Sequence, residues 1–345
     1  MKALVYRGPK DIGFESVPDP ILEDDRDAII KVDKCAICGS DLHIYHGETF
    51  SEDVGYCVGH EAVGEVVEVG RSVRQLKVGD KVMISAAVGC GQCRSCLAGN
   101  VVNCETNSGR CYGLSSALQG CQAEAVRVPA ADFNAARIPE GVTAEQALML
   151  TDALATAWFG ARNADIGHGA TVAVVGLGPI GLMAAECALA MGAARVFGID
   201  LVEERRAMGR AIGLETPEPG EARDYIREVT HGRMCDSVIE AVGHSATIRA
   251  ALGLAGRRGT VSVIGVNQDR SMDFPMAKAF AMGLTFRIGT CSVPQEWPDL
   301  VPLIQSGRIK PERYISHTLG LSEGAHAYDL FDRRAEGAMK MVLDI

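Results

Sequence analysis

A glycine-rich turn between an apolar strand and an apolar helix constrains the fold of this 345-residue chain more than any other feature. The run 171–175 is typical of a parallel strand buried on both faces, and an alanine-rich segment continues to Met191. Glycines in such a turn let a pyrophosphate approach the backbone at the helix N-terminus. This context favours a dinucleotide site over a structural turn that binds no ligand. The turn consists of Gly176, Leu177, Gly178, Pro179, Ile180 and Gly181.

A carboxylate at the end of the next apolar run indicates which dinucleotide is bound. Asp200 closes the segment that begins at Arg195. From that position a carboxylate accepts hydrogen bonds from both hydroxyls of the adenosine ribose, and its charge repels a 2′-phosphate. The sequence therefore predicts NAD rather than NADP as the cofactor.

The character of the chain changes near residue 155. Before this point, short strand-like runs such as 28–32 are broken by Gly, Pro and Asp, which is a β-rich pattern. After it, strand-like runs alternate with helical stretches, which predicts βαβ units and a parallel sheet. A length of 345 residues also predicts roughly two domains of about 150 residues each. These later runs are 171–175, 195–200, 237–240 and 260–264.

Charge and hydropathy exclude several classes of partner. The chain carries 44 acidic and 34 basic residues, for a net charge of −10, and it has no basic run. We therefore expect neither nucleic acid nor an anionic membrane as a partner. No apolar stretch reaches the roughly 18 residues that a membrane-spanning helix needs. The segment 1–9 lacks the apolar region of a secretory signal, so we expect a cytoplasmic protein.

Twelve cysteines are too few for a disulfide scaffold in a chain of this length, and six of them lie between residues 90 and 121. In a reducing compartment, such clustering indicates a metal site. Four thiolates at this spacing can surround one tetrahedral zinc ion, and a site without an open position is structural. The four are Cys90, Cys93, Cys96 and Cys104.

A second group of candidate zinc ligands is dispersed along the chain. Three protein ligands and one open position make a catalytic zinc site. The spacing alone leaves other interpretations open: the His–Glu pair can lie on the surface, the cysteine in the core, and the aspartate at a helix cap. The candidates are Cys38, His60, Glu61 and Asp152, with Ser40 and His43 close to the first.

Together these motifs resemble the zinc-dependent medium-chain alcohol dehydrogenases along essentially the whole chain. The segment from Gly59 to Val73 resembles the family's zinc signature, and the four-cysteine lobe and the glycine-rich turn follow in the family's order. The resemblance implies a GroES-like β-rich catalytic domain over 1–154, with a structural zinc lobe at about 89–105. It also implies a Rossmann NAD-binding domain, with a doubly wound parallel sheet, over 155–292. Residues 293–345 then return to the catalytic domain.

The resemblance also implies roles for individual residues. Cys38, His60 and Asp152 match the catalytic zinc ligands, and Glu61 matches a residue that ligates the metal when substrate is absent. Ser40 and His43 match the proton relay. The positions that match cofactor contacts are the turn residues Gly176, Gly178, Pro179, Ile180 and Gly181, the ribose contacts Asp200 and Arg205, the nicotinamide contacts Thr156 and Val266, and the basic residue Lys340.

One candidate zinc ligand distinguishes this chain from the animal-type members of the family. Animal-type alcohol dehydrogenases have a cysteine where this chain has Asp152, a pattern that resembles the bacterial secondary-alcohol dehydrogenases. We predict reversible, zinc-dependent oxidation of a secondary or primary alcohol to a ketone or aldehyde by NAD, in a homo-oligomer of two or four subunits. Polyol, threonine-type and formaldehyde dehydrogenases of the same superfamily are alternatives. A zinc and NAD sensor without catalysis is a more distant one, because Ser40 and His43 would then have no purpose.

Overall fold

The computed structural model describes residues 1–48, 51–106, 110–267, 269 and 271–345. These residues form two compact units. The first comprises Met1–Ala155 and Cys291–Ile345, and the second comprises Thr156–Thr290. Among the described residues, no helix is both long and apolar enough to cross a membrane.

Fifteen strands occur in the described part of the chain. In chain order they are β1 (Lys2–Gly8), β2 (Asp11–Ser16), β3 (Ala28–Ile37), β4 (Tyr56–Cys57), β5 (Glu61–Val69), β6 (Lys81–Ile84), β7 (Ala125–Val128), β8 (Ala135–Arg137), β9 (Thr171–Val175), β10 (Arg195–Ile199), β11 (Cys235–Glu240), β12 (Ala255–Val263), β13 (Thr285–Ile288), β14 (Ile315–Gly320) and β15 (Lys340–Asp344).

The same residues form twelve α-helices, joined in places by short 3₁₀ turns. They are α1 (Gly39–Tyr45), α2 (Arg94–Leu97), α3 (Ala131–Asn134), α4 (Ala144–Leu150), α5 (Ala153–Asn163), α6 (Pro179–Ala190), α7 (Glu203–Ala211), α8 (Ala222–Val229), α9 (Ser245–Leu254), α10 (Met276–Met282), α11 (Trp297–Gln305) and α12 (Gly324–Arg333).

The first unit is built on a seven-stranded sheet with the order β14-β15-β3-β5-β6-β8, in which β7 also pairs with β3. A smaller sheet has the order β2-β1-β4. Strand β15 lies antiparallel to β3 with Met341 opposite Ile37, so the C-terminal segment completes a sheet that begins near the N-terminus. On its other side, β3 pairs with β5 and places Ala36 opposite Glu61. The ends of β3, β5 and β15 therefore lie together.

The second unit contains a five-stranded sheet with the order β10-β9-β11-β12-β13, and every pairing in it is parallel. The chain runs from β9 outward to β10 and then returns to the other side of β9 for β11. Because such crossovers are right-handed, the helices lie on both faces of the sheet, and the carboxyl end of β9 is a switch point where ligands bind. The predicted α/β class with a doubly wound parallel sheet is confirmed.

Four of the five strands of this sheet match apolar runs of the sequence, whereas β13 (Thr285–Ile288) corresponds to none of the predicted runs, since three of its four residues are exposed. The bounds of β12 also differ from the prediction. The run 260–264 predicts a short strand, whereas β12 begins at Ala255. The extra residues include Arg257 and Arg258, and Arg258 has a positive φ of 61°. Because these residues are charged and exposed and the backbone is irregular, a pattern of apolar residues does not predict this part of the strand.

Candidate active site and cofactor site

Four potential metal ligands from distant parts of the chain converge in the first unit. One donor atom from each of Cys38, His60, Glu61 and Asp152 lies within 4.8 Å of the others. Cys38 precedes α1, His60 directly precedes β5, Glu61 is the first residue of β5, and Asp152 lies between α4 and α5. Cys38, His60 and Glu61 are buried, and Asp152 is half-buried. The fold thus brings together the four residues that the sequence analysis assigned to one site.

The donor set fits zinc in both chemistry and spacing. The Sγ atom of Cys38 and the Nε2 atom of His60 each lie 3.5 Å from Oδ2 of Asp152. A tetrahedral zinc ion with bonds of about 2.0–2.3 Å places its ligand atoms about 3.3–3.8 Å apart. Burial raises the pKa of Cys38, and the charge of Asp152 raises it further, so a cation here would relieve an unfavourable concentration of negative charge.

Asp41, to which the sequence analysis gave no role, connects two of these ligands. Its Oδ1 atom lies 3.2 Å from Nδ1 of His60, and its Oδ2 atom accepts a hydrogen bond of 2.9 Å from the backbone N–H of Cys38. Burial alone would lower the pKa of His60, but Asp41, followed by Cys111 and Asp152, outweighs it and raises that pKa well above its usual value. A carboxylate on the second nitrogen of a metal-binding histidine fixes the orientation of the ring. An acidic residue three positions after Cys38, in the first turn of α1, was the available signal.

A buried ion pair adjoins the cluster. Lys340, the first residue of β15, donates a hydrogen bond of 2.6 Å to Oε1 of Glu61 and also contacts Oε2. Its ammonium reaches the backbone carbonyl of Ile37 at 3.3 Å as well. Burial raises the pKa of Glu61 despite the attraction of Lys340. The ammonium of Lys340 therefore faces a member of the ligand cluster, and the predicted contact of Lys340 with the cofactor stays a prediction.

The two predicted relay residues occupy successive turns of α1. Ser40 Oγ lies 3.4 Å from Nε2 of His60, which places the hydroxyl beside the cluster. His43 is partly exposed, and its Nδ1 atom lies 2.9 Å from Oε2 of Glu48. Residues three apart on a helix share a face. The helix thus runs from the buried cluster towards a histidine that solvent reaches.

A second cluster forms in the loop around α2. One sulfur from each of Cys90, Cys93, Cys96 and Cys104 lies within 4.8 Å of the others. The sulfurs of Cys90 and Cys96 are 4.0 Å apart, close to the ~3.8 Å edge of a tetrahedral zinc–sulfur site. Backbone N–H groups donate to these sulfurs, including that of Cys93 to Cys90 and that of Cys96 to Cys93. All four donors are thiols, so the arrangement fits a closed metal site.

The glycine-rich turn in the second unit joins β9 to α6. Gly176 has a positive φ of 91°, and a Cβ atom on Gly181 would lie 1.8 Å from the carbonyl oxygen of Gly176. Only glycine fits at these two positions. Gly178 is the N-cap of α6 and Pro179 its first residue, while Ile180 follows in the first turn. The turn therefore presents the N-terminus of a helix at the carboxyl end of β9, as a dinucleotide site requires.

Asp200 is held directly beside this turn. Its Oδ2 atom accepts a hydrogen bond of 2.7 Å from the N–H of Leu177, and its Oδ1 atom accepts one of 2.8 Å from Val202. A guanidinium nitrogen of Arg205 lies 3.7 Å from Oδ2. Each carboxylate oxygen has a second lone pair, so both can still accept hydrogen bonds from a ligand. The turn, Asp200 and Arg205 are thus brought together.

The two predicted nicotinamide contacts also belong to the second unit. Thr156 lies in α5 and is half-buried. Val266 follows β12 and is exposed.

Comparison with known proteins identifies the family. The GroES-like domain of alcohol dehydrogenases matches residues 24–140, and the zinc-binding dehydrogenase family matches residues 179–306. A probable zinc-binding alcohol dehydrogenase of Mycobacterium tuberculosis is 43% identical over 329 residues, which is 95% of this chain and 84% of the relative.

Solved structures show the same fold. The alcohol dehydrogenase TADH from Thermus sp. ATN1 is 36% identical and superposes with a TM-score of 0.94 over 100% of this chain and 99% of its own. A putative zinc-binding dehydrogenase from Sinorhizobium meliloti 1021, bound to NADP, is 28% identical, with a TM-score of 0.85 over 100% and 99% of the two chains.

The fold and the two ligand clusters define a zinc-binding dehydrogenase. The chain belongs to the zinc-dependent medium-chain alcohol dehydrogenase family. It is an oxidoreductase that acts on a small-molecule alcohol with zinc and a nicotinamide cofactor. The predicted family, GroES-like and Rossmann folds and reaction class are confirmed.

Proposed function

We propose that the chain catalyses the reversible, NAD-linked oxidation of a secondary or primary alcohol at a zinc ion held by Cys38, His60 and Asp152. The convergence of the donor atoms within 4.8 Å, in a buried position, carries this assignment. Zinc in such a site supplies a Lewis acid that polarises the substrate oxygen and lowers the pKa of its hydroxyl group.

The chain's own residues manage the proton that the alcohol loses. Ser40 Oγ lies beside His60 and accepts the proton of the substrate hydroxyl while it passes its own proton outward. His43 carries that proton to solvent, because it is partly exposed and an imidazole can accept a proton at one ring nitrogen and donate one from the other. Glu48, 2.9 Å from Nδ1 of His43, orients the ring. NAD, when bound, would supply the acceptor for the hydride of the alcohol carbon.

Glu61 serves as the alternative ligand that faces the metal when substrate is absent. Its carboxylate belongs to the same cluster of donor atoms, and Lys340 neutralises it in a buried position. The resemblance also assigns Lys340 a contact with the cofactor.

NAD binds to the second unit through the residues around the glycine-rich turn. Gly178, Ile180 and Gly181 bring backbone N–H groups to the pyrophosphate. Gly176 allows the tight turn through its positive φ, and Pro179, which has no N–H, begins α6. Asp200 and Arg205 hold the adenosine ribose, and Thr156 and Val266 contact the nicotinamide. The carboxylate of Asp200, fixed by the N–H groups of Leu177 and Val202, supports NAD over NADP, because a 2′-phosphate would meet its negative charge.

The four-cysteine cluster holds a second, structural zinc ion. It organises the lobe at about 89–105 and takes no part in the chemistry, since four sulfur ligands leave no open position. The proposed catalytic domain comprises residues 1–154 and 293–345, and the proposed Rossmann domain comprises residues 155–292, with bounds within two residues of those of the two compact units.

The free edge of the parallel sheet supports a homo-oligomer of two or four subunits. Among the described residues, β13 pairs only with β12, and α10 beside it in sequence has no buried residue. Phe280 and Ile288 are largely exposed there. An unpaired strand edge with apolar neighbours favours pairing with another chain. A second copy of this chain, paired through β13, would form hydrogen bonds with the backbone groups at that edge.

Turnover assays test the proposed reaction. Purified protein and NAD are mixed with secondary and primary alcohols, polyols, threonine and formaldehyde, and formation of NADH is followed, with NADP as the cofactor control. We expect turnover with a simple alcohol, faster with NAD than with NADP, that is lost on chelation. The matched variants are Cys38→Ser, which should lose activity, and Cys57→Ser, which alters a buried cysteine outside both clusters. Activity in Cys38→Ser equal to that of Cys57→Ser would refute the metal assignment.

A further inference from the structure

Behind the catalytic cluster lies a chain of buried polar side chains that the proposed reaction does not use. Tyr328 in α12 donates a hydrogen bond of 2.9 Å from its hydroxyl to Oε1 of Gln122. The amide nitrogen of Gln122 lies 3.1 Å from the carbonyl oxygen of Ala36 and 3.4 Å from Oδ2 of Asp41. Asp41 in turn faces His60. We call Tyr328, Gln122 and Asp41 the Gln122 network.

Every member of the Gln122 network is buried, with at most 1% of its surface exposed. A buried amide or carboxylate costs free energy unless its polar atoms are paired. The amide of Gln122 has two acceptors on its nitrogen side and one hydroxyl donor on its oxygen side, so only one orientation of the amide satisfies all three contacts. The orientation of Gln122 is therefore determined by its surroundings.

The backbone at Gly59, next to the ligand His60, is built around Gln122. Gly59 has a positive φ of 87°, and a Cβ atom there would lie 2.3 Å from Cγ of Gln122. The side chain of Gln122 thus packs against the main chain that carries His60. This contact leaves Gln122 little room to move.

The Gln122 network determines which oxygen of Asp41 is available to His60. Oδ2 of Asp41 accepts from the N–H of Cys38 and from Gln122, whereas Oδ1 lies 3.2 Å from Nδ1 of His60. A proton on Nδ1 then leaves Nε2 as the nitrogen with a free lone pair, and Nε2 is the atom that faces Asp152. One carboxylate thereby orients both the ring of His60 and the backbone of Cys38.

We infer that Gln122 and Tyr328 are positioning residues for the catalytic metal: they hold Asp41 so that His60 and Cys38 present their donor atoms in one fixed geometry. This inference rests on the proposed function, because it takes Cys38, His60 and Asp152 as the metal ligands. Tyr328 lies in the C-terminal part of the chain, 206 residues from Gln122. The network therefore ties the helix α12 to a metal site built from the N-terminal part.

The test uses Co²⁺ in place of zinc, because the visible spectrum of Co²⁺ reports its ligand geometry independently of activity. The variants are Gln122→Met, which keeps the volume and removes the amide, and Tyr328→Phe, which removes one hydroxyl. Tyr56→Phe is the matched control, since Tyr56 is fully buried in the same core and its hydroxyl has no hydrogen-bond partner among the described residues.

We expect altered absorption bands and faster Co²⁺ release to a chelator. The release rate should rise about tenfold for Gln122→Met, the lower end of the 10- to 100-fold effect typical of outer partners of metal ligands. It should rise by less for Tyr328→Phe, because Tyr328 contacts Gln122 and not Asp41. Tyr56→Phe should match the parent protein, and metal in the Cys90 lobe should leave at the parent rate in every variant. If Gln122→Met does not fold, the comparison of Tyr328→Phe with Tyr56→Phe tests the inference. Spectra and release rates in the folded variants equal to those of Tyr56→Phe would overturn the inference.

Cys38→Ser separates this failure from failure of the proposed function. If Cys38→Ser loses one equivalent of Co²⁺ while Gln122→Met and Tyr328→Phe behave like the parent, only the role of the Gln122 network is refuted. If Cys38→Ser binds as much Co²⁺ as the parent with an unchanged spectrum, the catalytic metal site itself is wrong, and the inference falls with it.

Discussion

The ammonium of Lys340 lies 2.6 Å from Oε1 of Glu61, and both side chains are almost completely buried, with 3% and 0% of their surfaces exposed. The two residues are 279 positions apart in the chain and meet because β15 and β5 flank β3. A buried charge that loses its paired counter-charge is strongly unfavourable. This pair consequently joins the stability of the first unit to the candidate metal site.

Replacing Lys340 by Met should destabilise the protein by about 3–5 kcal/mol, because it leaves the carboxylate of Glu61 buried without its cation. The double variant Lys340→Met/Glu61→Gln should recover most of that loss, because no unpaired charge remains. Urea unfolding of the parent, both single variants and the double variant measures the coupling free energy. A Lys340→Met variant within 0.5 kcal/mol of the parent would contradict the prediction.

The four-cysteine lobe gives a prediction about metal content. Cys96→Ser should lower the metal content from two equivalents to one, because Cys96 is one of four sulfurs that face a common centre. Loss of a structural zinc removes its binding free energy from the folded state, so the thermal unfolding midpoint should also fall. Elemental analysis and calorimetry measure the two effects. Cys187→Ser, a buried cysteine of the second unit, is the control and should retain both equivalents.

The structure brings together residues that local motifs in the sequence had grouped. The spacing of Cys90, Cys93 and Cys96 and the turn between 176 and 181 each lie within a few residues of one another. A short motif of this kind carries its own geometry, since a tight turn or a metal ion brings neighbours together. The strands β9 and β10 were predictable for a related reason, because burial on both faces produces continuous apolar runs.

Contacts between distant residues could not be read from any local pattern. Gln122 contacts Asp41 across 81 positions and Tyr328 across 206. Lys340 was predicted as a cofactor contact by resemblance, and nothing in its own sequence surroundings indicates its bond to Glu61. Such pairs arise from the sheet order, in which the C-terminal strand β15 lies beside β3. Polar partners inside a core are set by the complete fold.

Glu240, at the end of β11, should make stability depend on pH. Burial raises the pKa of its carboxyl, although hydrogen bonds from Thr247 and the N–H of Gly243 favour the charged form. In the folded state the group therefore keeps its proton to a higher pH than in the unfolded state, where it titrates near 4.3. Stability should fall as pH rises from about 4.3 through the raised pKa and should not change further above it.

The variant Glu240→Gln isolates this effect. It lacks the titrating proton, so the difference in unfolding free energy between parent and variant should shift against the parent over the same pH interval. Urea unfolding at a series of pH values measures this difference. A difference that stays constant from pH 4 to pH 8, or that shifts in favour of the parent as pH rises, would show that Glu240 does not titrate with a raised pKa.

The relay on α1 yields a comparison between two neighbouring histidines. His43 lies three residues after Ser40, whereas His46 pairs with Asp332 at 2.6 Å. Ser40→Ala should lower kcat by about 100-fold, the lower limit for loss of a positioned proton-transfer group, with metal content unchanged. His43→Gln should lower kcat by a smaller factor, because water can replace a group at the outer end of the relay. His46→Gln should leave kcat unchanged. Steady-state kinetics with metal analysis tests all three, and equal rates in His43→Gln and His46→Gln would remove His43 from the proton path.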